Sequence, residues 1–201
     1  MRKAKKIIKD FNGDTHKTVL FLSYKAENWN TMDNIYKKYC QEKDIKVIVQ
    51  CVPYYYKNID GTFEKYIDGG MYPEYVTITP IEDYNYVNEN PDVIVFQYPY
   101  DNYNSAGTTD PVFYSYNLAS HTQKLIYIPY FRTDEIDEND MRAYTNMDAY
   151  VTMPGVVYAD KVIVQSEEIR KLYIKKLTDF FGEESEDEWE DKIEAEDIGG
   201  I

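Results

Sequence analysis

Acid–base or nucleophilic chemistry near neutral pH needs a group that titrates there, and this chain offers two histidines, His16 and His121, and two cysteines, Cys40 and Cys51. Imidazole is the side chain whose ordinary pKa suits a general base at that pH. Neither histidine has a serine or cysteine at a spacing that argues for a Ser-His-Asp or Cys-His arrangement. No Cys or His pair has zinc-ligand spacing, and two cysteines are too few for a disulfide framework, so reduced thiols are expected. The glycine-rich phosphate signatures G-x-G-x-x-G and G-x-x-x-x-G-K-[ST] are both missing, and no cofactor is expected. What the chain carries in quantity is tyrosine, 22 residues against 8 Phe. Much of its apolar surface therefore ends in a hydroxyl that needs water or a partner.

Hydrogen-bonding and aromatic residues gather in five segments, each directly after an apolar run: Tyr24 to Trp29, Pro53 to Tyr56, Tyr98 to Asn104, Pro129 to Arg132, and Ser166-Glu167. Rings flanked by hydroxyl, amide and carboxylate groups pack against the C–H faces of polyols and hydrogen-bond their hydroxyls. The candidate substrate-binding residues are Lys25, Trp29, Tyr54, Tyr55, Asp101, Asn102, Arg132 and Ser166, for a polyol-phosphate or sugar ligand. The competing expectation is that most of the tyrosines cap a sheet edge and cover its core. Transfer from a nucleotide-diphosphate donor needs several cations or helix N-termini to hold phosphate charge. Here Lys25 and Arg132 are the cations at these positions, and no catalytic residue is assigned.

The elements that must position these loops follow from hydrophobic patterning. Lys17 to Ser23 (KTVLFLS), Lys46 to Val52, Tyr75 to Thr79, Val93 to Gln97, Lys124 to Ile128 and Lys161 to Gln165 read as short buried strands. Met32, Ile35, Tyr36 and Tyr39 have helical spacing within Thr31 to Gln41, with Thr31 as a candidate N-cap. Glu82 to Asn88 reads as a weak helix. Glu167 to Phe181 reads as a helix capped by Ser166. Pro53 to Tyr75 is a long excursion with a hairpin signal at Asp60-Gly61. Apolar strands alternating with polar or helical stretches predict an α/β fold. It is a Rossmann-like open, mainly parallel six-stranded sheet with helices on both faces, in the order 3-2-1-4-5-6. Ligands of such sheets bind at the carboxyl ends of the strands, where the five segments fall. His16 lies before the first strand and His121 before the fifth, so both belong to the opposite end, and a surface or capping role is expected for His121.

Three regions are expected: a lead-in basic helix over 1–16, a Rossmann-like domain over 17–181, and an acidic linker or tail over 182–201. The net charge of -14 is concentrated in the last region, where ten acids face one base, Lys192. The remainder is close to balanced and presents no basic face, so a nucleic-acid partner is not expected. Lys3 to Phe11 sets Ile7, Ile8 and Phe11 among four lysines, a short amphipathic helix that packs on the domain or makes weak peripheral contact with anionic lipid. No stretch reaches the roughly 20 apolar residues of a membrane span. A cytoplasmic protein, at most peripheral to the inner face of the membrane, is expected.

The run from Lys17 to Phe181 resembles the N-terminal domain of CDP-glycerol glycerophosphotransferase family proteins, relatives of the teichoic-acid polymerases with a GT-B architecture. The resemblance runs through KTVLFLSYKAENW, VPYYYKNIDGTFEKYIDGG, NPDVIVFQYPYDNYN, KLIYIPYF and MPGVVYADKVIVQSEEIRKLYI. It implies the acceptor-side half of a transferase of cell-wall teichoic acid biosynthesis, with the donor nucleotide held by a second, C-terminal domain supplied in cis or in trans. On that basis the isolated chain is expected to be inactive. Arg132 directly after YIPYF and the acidity of 182–201 depart from the family pattern, and no catalytic histidine of the family matches a position here.

Overall fold

The computed structural model describes residues 17–66, 68, 70–134, 136 and 140–199; the expected lead-in helix and His16 lie outside them. The strands are Lys17–Ser23 (β1), Ile45–Cys51 (β2), Tyr54–Lys57 (β3), Phe63–Tyr66 (β4), Val93–Phe96 (β5), Gly107–Thr109 (β6), Lys124–Tyr127 (β7), Lys161–Val164 (β8) and Ile193–Ala195 (β9). The helices are Asn30–Cys40 (α1), Tyr86–Glu89 (α2), Ser115–Ser120 (α3), Met141–Asn146 (α4), Asp148–Val151 (α5), Pro154–Tyr158 (α6), Glu167–Phe181 (α7) and Glu186–Lys192 (α8).

Six strands form one sheet in the order β2-β1-β5-β7-β8-β9, and every pair in it is parallel. The predicted Rossmann-like α/β sheet is therefore the fold. Parallel neighbours need crossover connections, which cover both faces, and this is why β1, β5, β7 and β8 are runs of apolar residues rather than alternations. Leu20, Leu22, Ile94, Phe96, Leu125 and Val162 bury one face against α3 and α5 to α8. Val19, Phe21, Val95, Ile126 and Ile163 bury the other against Met32 and Ile35 of α1. Leu20, Ile94 and Leu125 are wholly inaccessible, and truncating any one of them to Ala costs about 2–5 kcal/mol.

Two expectations about the strands change. The stretch Tyr75 to Thr79 is not a strand: it touches the sheet through a single parallel bridge, Val49 to Ile78, with Thr79 N–H donating to the Val49 carbonyl at 2.7 Å. Pro73 and Pro80 bracket it, and Val76 N–H is spent on a turn to Pro73 O, so little donor capacity remains for a ladder. The sixth strand lies on the other edge and comes from the segment expected to be an acidic linker or tail. Gly182, at φ +108°, turns the chain after α7; α8 then packs back along it with Trp189 against Phe181, and Ile193 and Ile198 are buried. The acids of 182–199 point outward while three apolar residues anchor the inner side.

After β9 the chain lies as a strap along α1. Glu196 pairs with Lys38, Asp197 O accepts from Asn34 Nδ2 at 3.0 Å, and a side chain at Gly199 would strike Asn30 O. Positions 38, 34 and 30 stand one turn apart on the helix. Thr31 is not the N-cap: α1 starts one residue earlier, and the Thr31 hydroxyl donates to Asn28 O.

The expected hairpin is present. β3 and β4 pair across the Asp60-Gly61 turn, with Gly61 at φ +82°, and β6 adds to β3 to give a three-stranded antiparallel sheet in the order β4-β3-β6. The ribbon β3-β4 begins directly beyond the carboxyl end of β2, and its first residue brings tyrosine to the sheet edge. Among the described residues no helix is long and apolar enough to cross a membrane.

Candidate functional site

The strand order reverses direction between β1 and β5, and the crevice at that point is where open parallel sheets bind ligands. Here it is filled from within. Gln97, directly after β5, is fully buried. Its Oε1 accepts from Tyr24 N–H at 2.9 Å, and its Nε2 donates to Asn28 O and Thr31 Oγ1, both at 2.9 Å. One carboxamide thus satisfies the backbone of the loop between β1 and α1. Tyr72 OH donates to Ser23 Oγ at 3.0 Å, and Ala26 N–H donates to Asp68 at 2.6 Å, which fixes the same loop from its outer side.

With the crevice closed, a tyrosine cluster lies beside it in which Tyr54, Tyr98 and Tyr100 are buried and Tyr24 and Lys25 are partly exposed. Tyr24 touches the rings of Tyr54, Tyr98 and Tyr130, with centroids 4.8, 5.1 and 4.9 Å away. Tyr54 stacks on Tyr66 at 4.5 Å, as their direct pairing across the hairpin dictates, and its hydroxyl lies 3.2 Å from that of Tyr56. Tyr100 OH lies 3.4 Å from Tyr130 OH. Lys25 enters this group with its Nζ 5.4, 5.2 and 5.2 Å from the ring centres of Tyr24, Tyr54 and Tyr66, and 3.5 Å from a Glu27 oxygen. A cation over ring faces at these distances is attracted by their quadrupoles, worth about 0.5–1 kcal/mol each where partly exposed. Partial burial disfavours the Lys25 charge, but Tyr24, Tyr56 and Glu27 outweigh it and hold the pKa above that of an ordinary lysine. Burial raises the hydroxyl pKa of Tyr24, Tyr54, Tyr98 and Tyr100 far above the ordinary phenol value. All four are hydrogen-bonding phenols at neutral pH.

The candidate residues divide into three groups. Lys25 and Tyr54 come together in the cluster just described, and Tyr55, its side chain on the opposite face of β3, faces a separate cleft. Asp101 and Asn102 stand together on the loop after β5, where Asp101 takes a left-handed conformation (φ +49°) and is only 4 % exposed. The Asp101 carboxylate accepts from Ser115 N–H and Ser115 Oγ, both at 2.8 Å, at the start of α3. Burial raises its pKa to about 6 against the lowering by those two bonds. Lys57 Nζ donates to the carbonyls of Asn102 and Asn104 at 2.7 Å, leaving the Asn102 side chain at the surface.

The other three serve the scaffold. Trp29 is 2 % exposed, packed against Phe21, Tyr36 and Tyr72, with Nε1 donating to Asp33; it offers no face to a ligand, because α1 begins there and turns the ring inward. Ser166 accepts from Ile169 N–H and caps α7, as its sequence context predicts. Arg132 donates to Gly199 O at 2.9 Å and lies 4.0 Å from Asp197, so it is engaged by the strap. His121 caps the end of α3 at the amino end of the sheet, with Nδ1 3.3 Å from Asn90 Oδ1 and its ring against Tyr86.

Sequence reasoning passed over Gln97, Tyr66 and the packing role of Tyr24. The signals were a polar residue closing the apolar run VIVFQ and the equal spacing of Tyr54 and Tyr66 about Asp60. Among the described residues no group of three or more His, Cys, Asp or Glu side chains is placed to hold a metal ion. Comparison with family models, with curated proteins and with solved structures finds no match.

Proposed function

We propose that this chain is the acceptor-side domain of a two-domain transferase, and that it binds a polyol phosphate of the glycerol phosphate type at Lys25 and the surrounding tyrosines. The reading follows the resemblance to CDP-glycerol glycerophosphotransferases, and one observation carries it on physical grounds. The Lys25 ammonium, set over the rings of Tyr24, Tyr54 and Tyr66, stands next to a switch-point crevice that Gln97 closes. One cation suits one phosphate and the hydroxyls suit a polyol, whereas a nucleotide diphosphate needs more positive potential and an open crevice. Donor binding and the chemical step then fall to a partner domain, and the reading puts the protein in the cytoplasm.

Calorimetric titration with glycerol 3-phosphate and, separately, with CDP-glycerol tests this. Glycerol 3-phosphate binds in the millimolar range, about 4 kcal/mol. Lys25→Met weakens it about tenfold or more, since a hydrogen bond to a charged group contributes roughly 1.5–3 kcal/mol. CDP-glycerol gains nothing over glycerol 3-phosphate. Tight stoichiometric binding of CDP-glycerol by the chain alone, or glycerol 3-phosphate binding indifferent to Lys25→Met, overturns the proposal.

A further inference from the structure

On the other face of β3 lies a cleft of about 270 Å³ that the polyol-phosphate reading does not use. Its walls are β3 with the turn into Phe113 on one side and the stretch Ile81 to Tyr86 on the other. The second wall is pinned to the main sheet by Gln50, which is 1 % exposed and donates through Nε2 to Pro80 O and Tyr84 O, both at 3.0 Å. The cleft is therefore preformed rather than a gap between loose loops.

Its chemistry differs from that of the Lys25 cluster. Tyr55 and Tyr84, each half-buried, contribute aromatic side chains, and Phe113 supplies an apolar floor. Asn85 uses Oδ1 to cap α2 through Val87 N–H, and Asp110 uses Oδ1 to cap the turn at Val112 N–H. Among the described residues, Asn85 Nδ2, Asp110 Oδ2 and the Tyr55 hydroxyl have no protein partner. Donor, acceptor and ring thus border one small space. Glu82 and Asp110 against Lys65 make the rim net acidic, which repels an anion. Rings for C–H faces, with an amide and a carboxylate for hydroxyls, suit an uncharged sugar ring. The volume sits just below the roughly 300–1,000 Å³ of drug-sized ligand sites, which limits the occupant to about one ring with a substituent.

We infer that the cleft between Tyr55, Asn85 and Asp110 is a binding site for a neutral saccharide ring, separate from the Lys25 cluster. Saturation-transfer difference NMR with methyl glucoside, N-acetylglucosamine and maltose as probes reads it directly. The expected result is transfer to the ring protons of at least one probe, with affinity reduced about two- to tenfold by Tyr55→Leu, the loss of an aromatic contact. Asp110→Asn keeps the acceptor for Val112 N–H, so the fold is retained, and it weakens the signal by removing a charged acceptor. Lys25→Met leaves it unchanged, which separates this site from the polyol-phosphate reading. No transfer to any probe at millimolar concentration overturns the inference. So does a signal that survives both Tyr55→Leu and Asp110→Asn, or one that Lys25→Met abolishes.

Discussion

The side-chain amide of Gln97 and the hydroxyl of Thr31 meet inside the protein at 2.9 Å, tying the end of β5 to the first turn of α1 across 66 residues of chain. Replacing Gln97 by Met keeps the volume and strands Tyr24 N–H, while Asn28 O keeps the Thr31 hydroxyl as a donor. A stranded buried group costs about 1–3 kcal/mol, so Gln97→Met lowers stability by about 1–3 kcal/mol in urea unfolding. A loss below about 0.5 kcal/mol would mean that water replaces the carboxamide without cost.

Asp101 gives the molecule a pH signature. Its folded pKa of about 6 lies above the ordinary 3.8, so the folded state holds the proton more tightly than the unfolded chain. The resulting stabilisation is complete below the unfolded pKa and is lost as pH rises through 6. Asp101→Asn, which retains an acceptor for Ser115 N–H and tolerates the left-handed backbone, carries no such dependence. The stability of the parent minus that of the variant falls by on the order of 2–3 kcal/mol between pH 4 and pH 7. Taking the difference cancels carboxylates with the opposite slope, such as Asp33 and Asp179, whose pKa values are lowered. A difference that is flat or rises with pH contradicts the assignment.

Tyr127 and Tyr173 are buried, their hydroxyls have no hydrogen-bond partner among the described residues, and burial lifts both pKa values far above the ordinary 10. Phenols of raised folded pKa stabilise the folded state below pH 10 and withdraw that stabilisation above it. Alkaline titration followed at 295 nm therefore shows a cooperative late step coincident with loss of near-ultraviolet circular dichroism. Tyr127→Phe and Tyr173→Phe remove an unsatisfied polar atom without changing the ring, and each leaves stability unchanged or raises it by up to about 1 kcal/mol. Loss of more than that amount would reveal a partner for the hydroxyl.

Trp189 tests the revised boundary of the domain. Its burial against Phe181 and Lys192 predicts a cost of about 3–5 kcal/mol for Trp189→Ala. A solvated segment would give less than about 0.5 kcal/mol, and thermal unfolding separates the two.

Much of the fold was legible because parallel strands buried on both faces announce themselves as apolar runs, as KTVLFLS and KVIV do. The edge of the sheet was not. At Tyr75 to Thr79 the run is right, but the flanking prolines and a competing turn decide against a ladder. In 182–199 the average composition is acidic, and the structure depends on Trp189, Ile193 and Ile198, whose spacing shows only weakly against that background. In the site, Lys25 and Tyr54 come together because the strand-end loops converge on one edge. Loop composition misplaced Trp29 and Arg132, since direction within a loop depends on what packs behind it. The three-stranded sheet depends on β6, whose Gly-Thr-Thr has no apolar pattern to read.

The strap along α1 has a consequence for synthesis. Asn34 binds Asp197 across 163 residues, and Ile198 completes the cover over the α1 face of the sheet. A chain emerging amino end first on the ribosome cannot make either contact until the segment through residue 199 is clear of the exit tunnel. Until then the flank of α1 and the apolar strip beneath it remain open to chaperones and to neighbouring nascent chains.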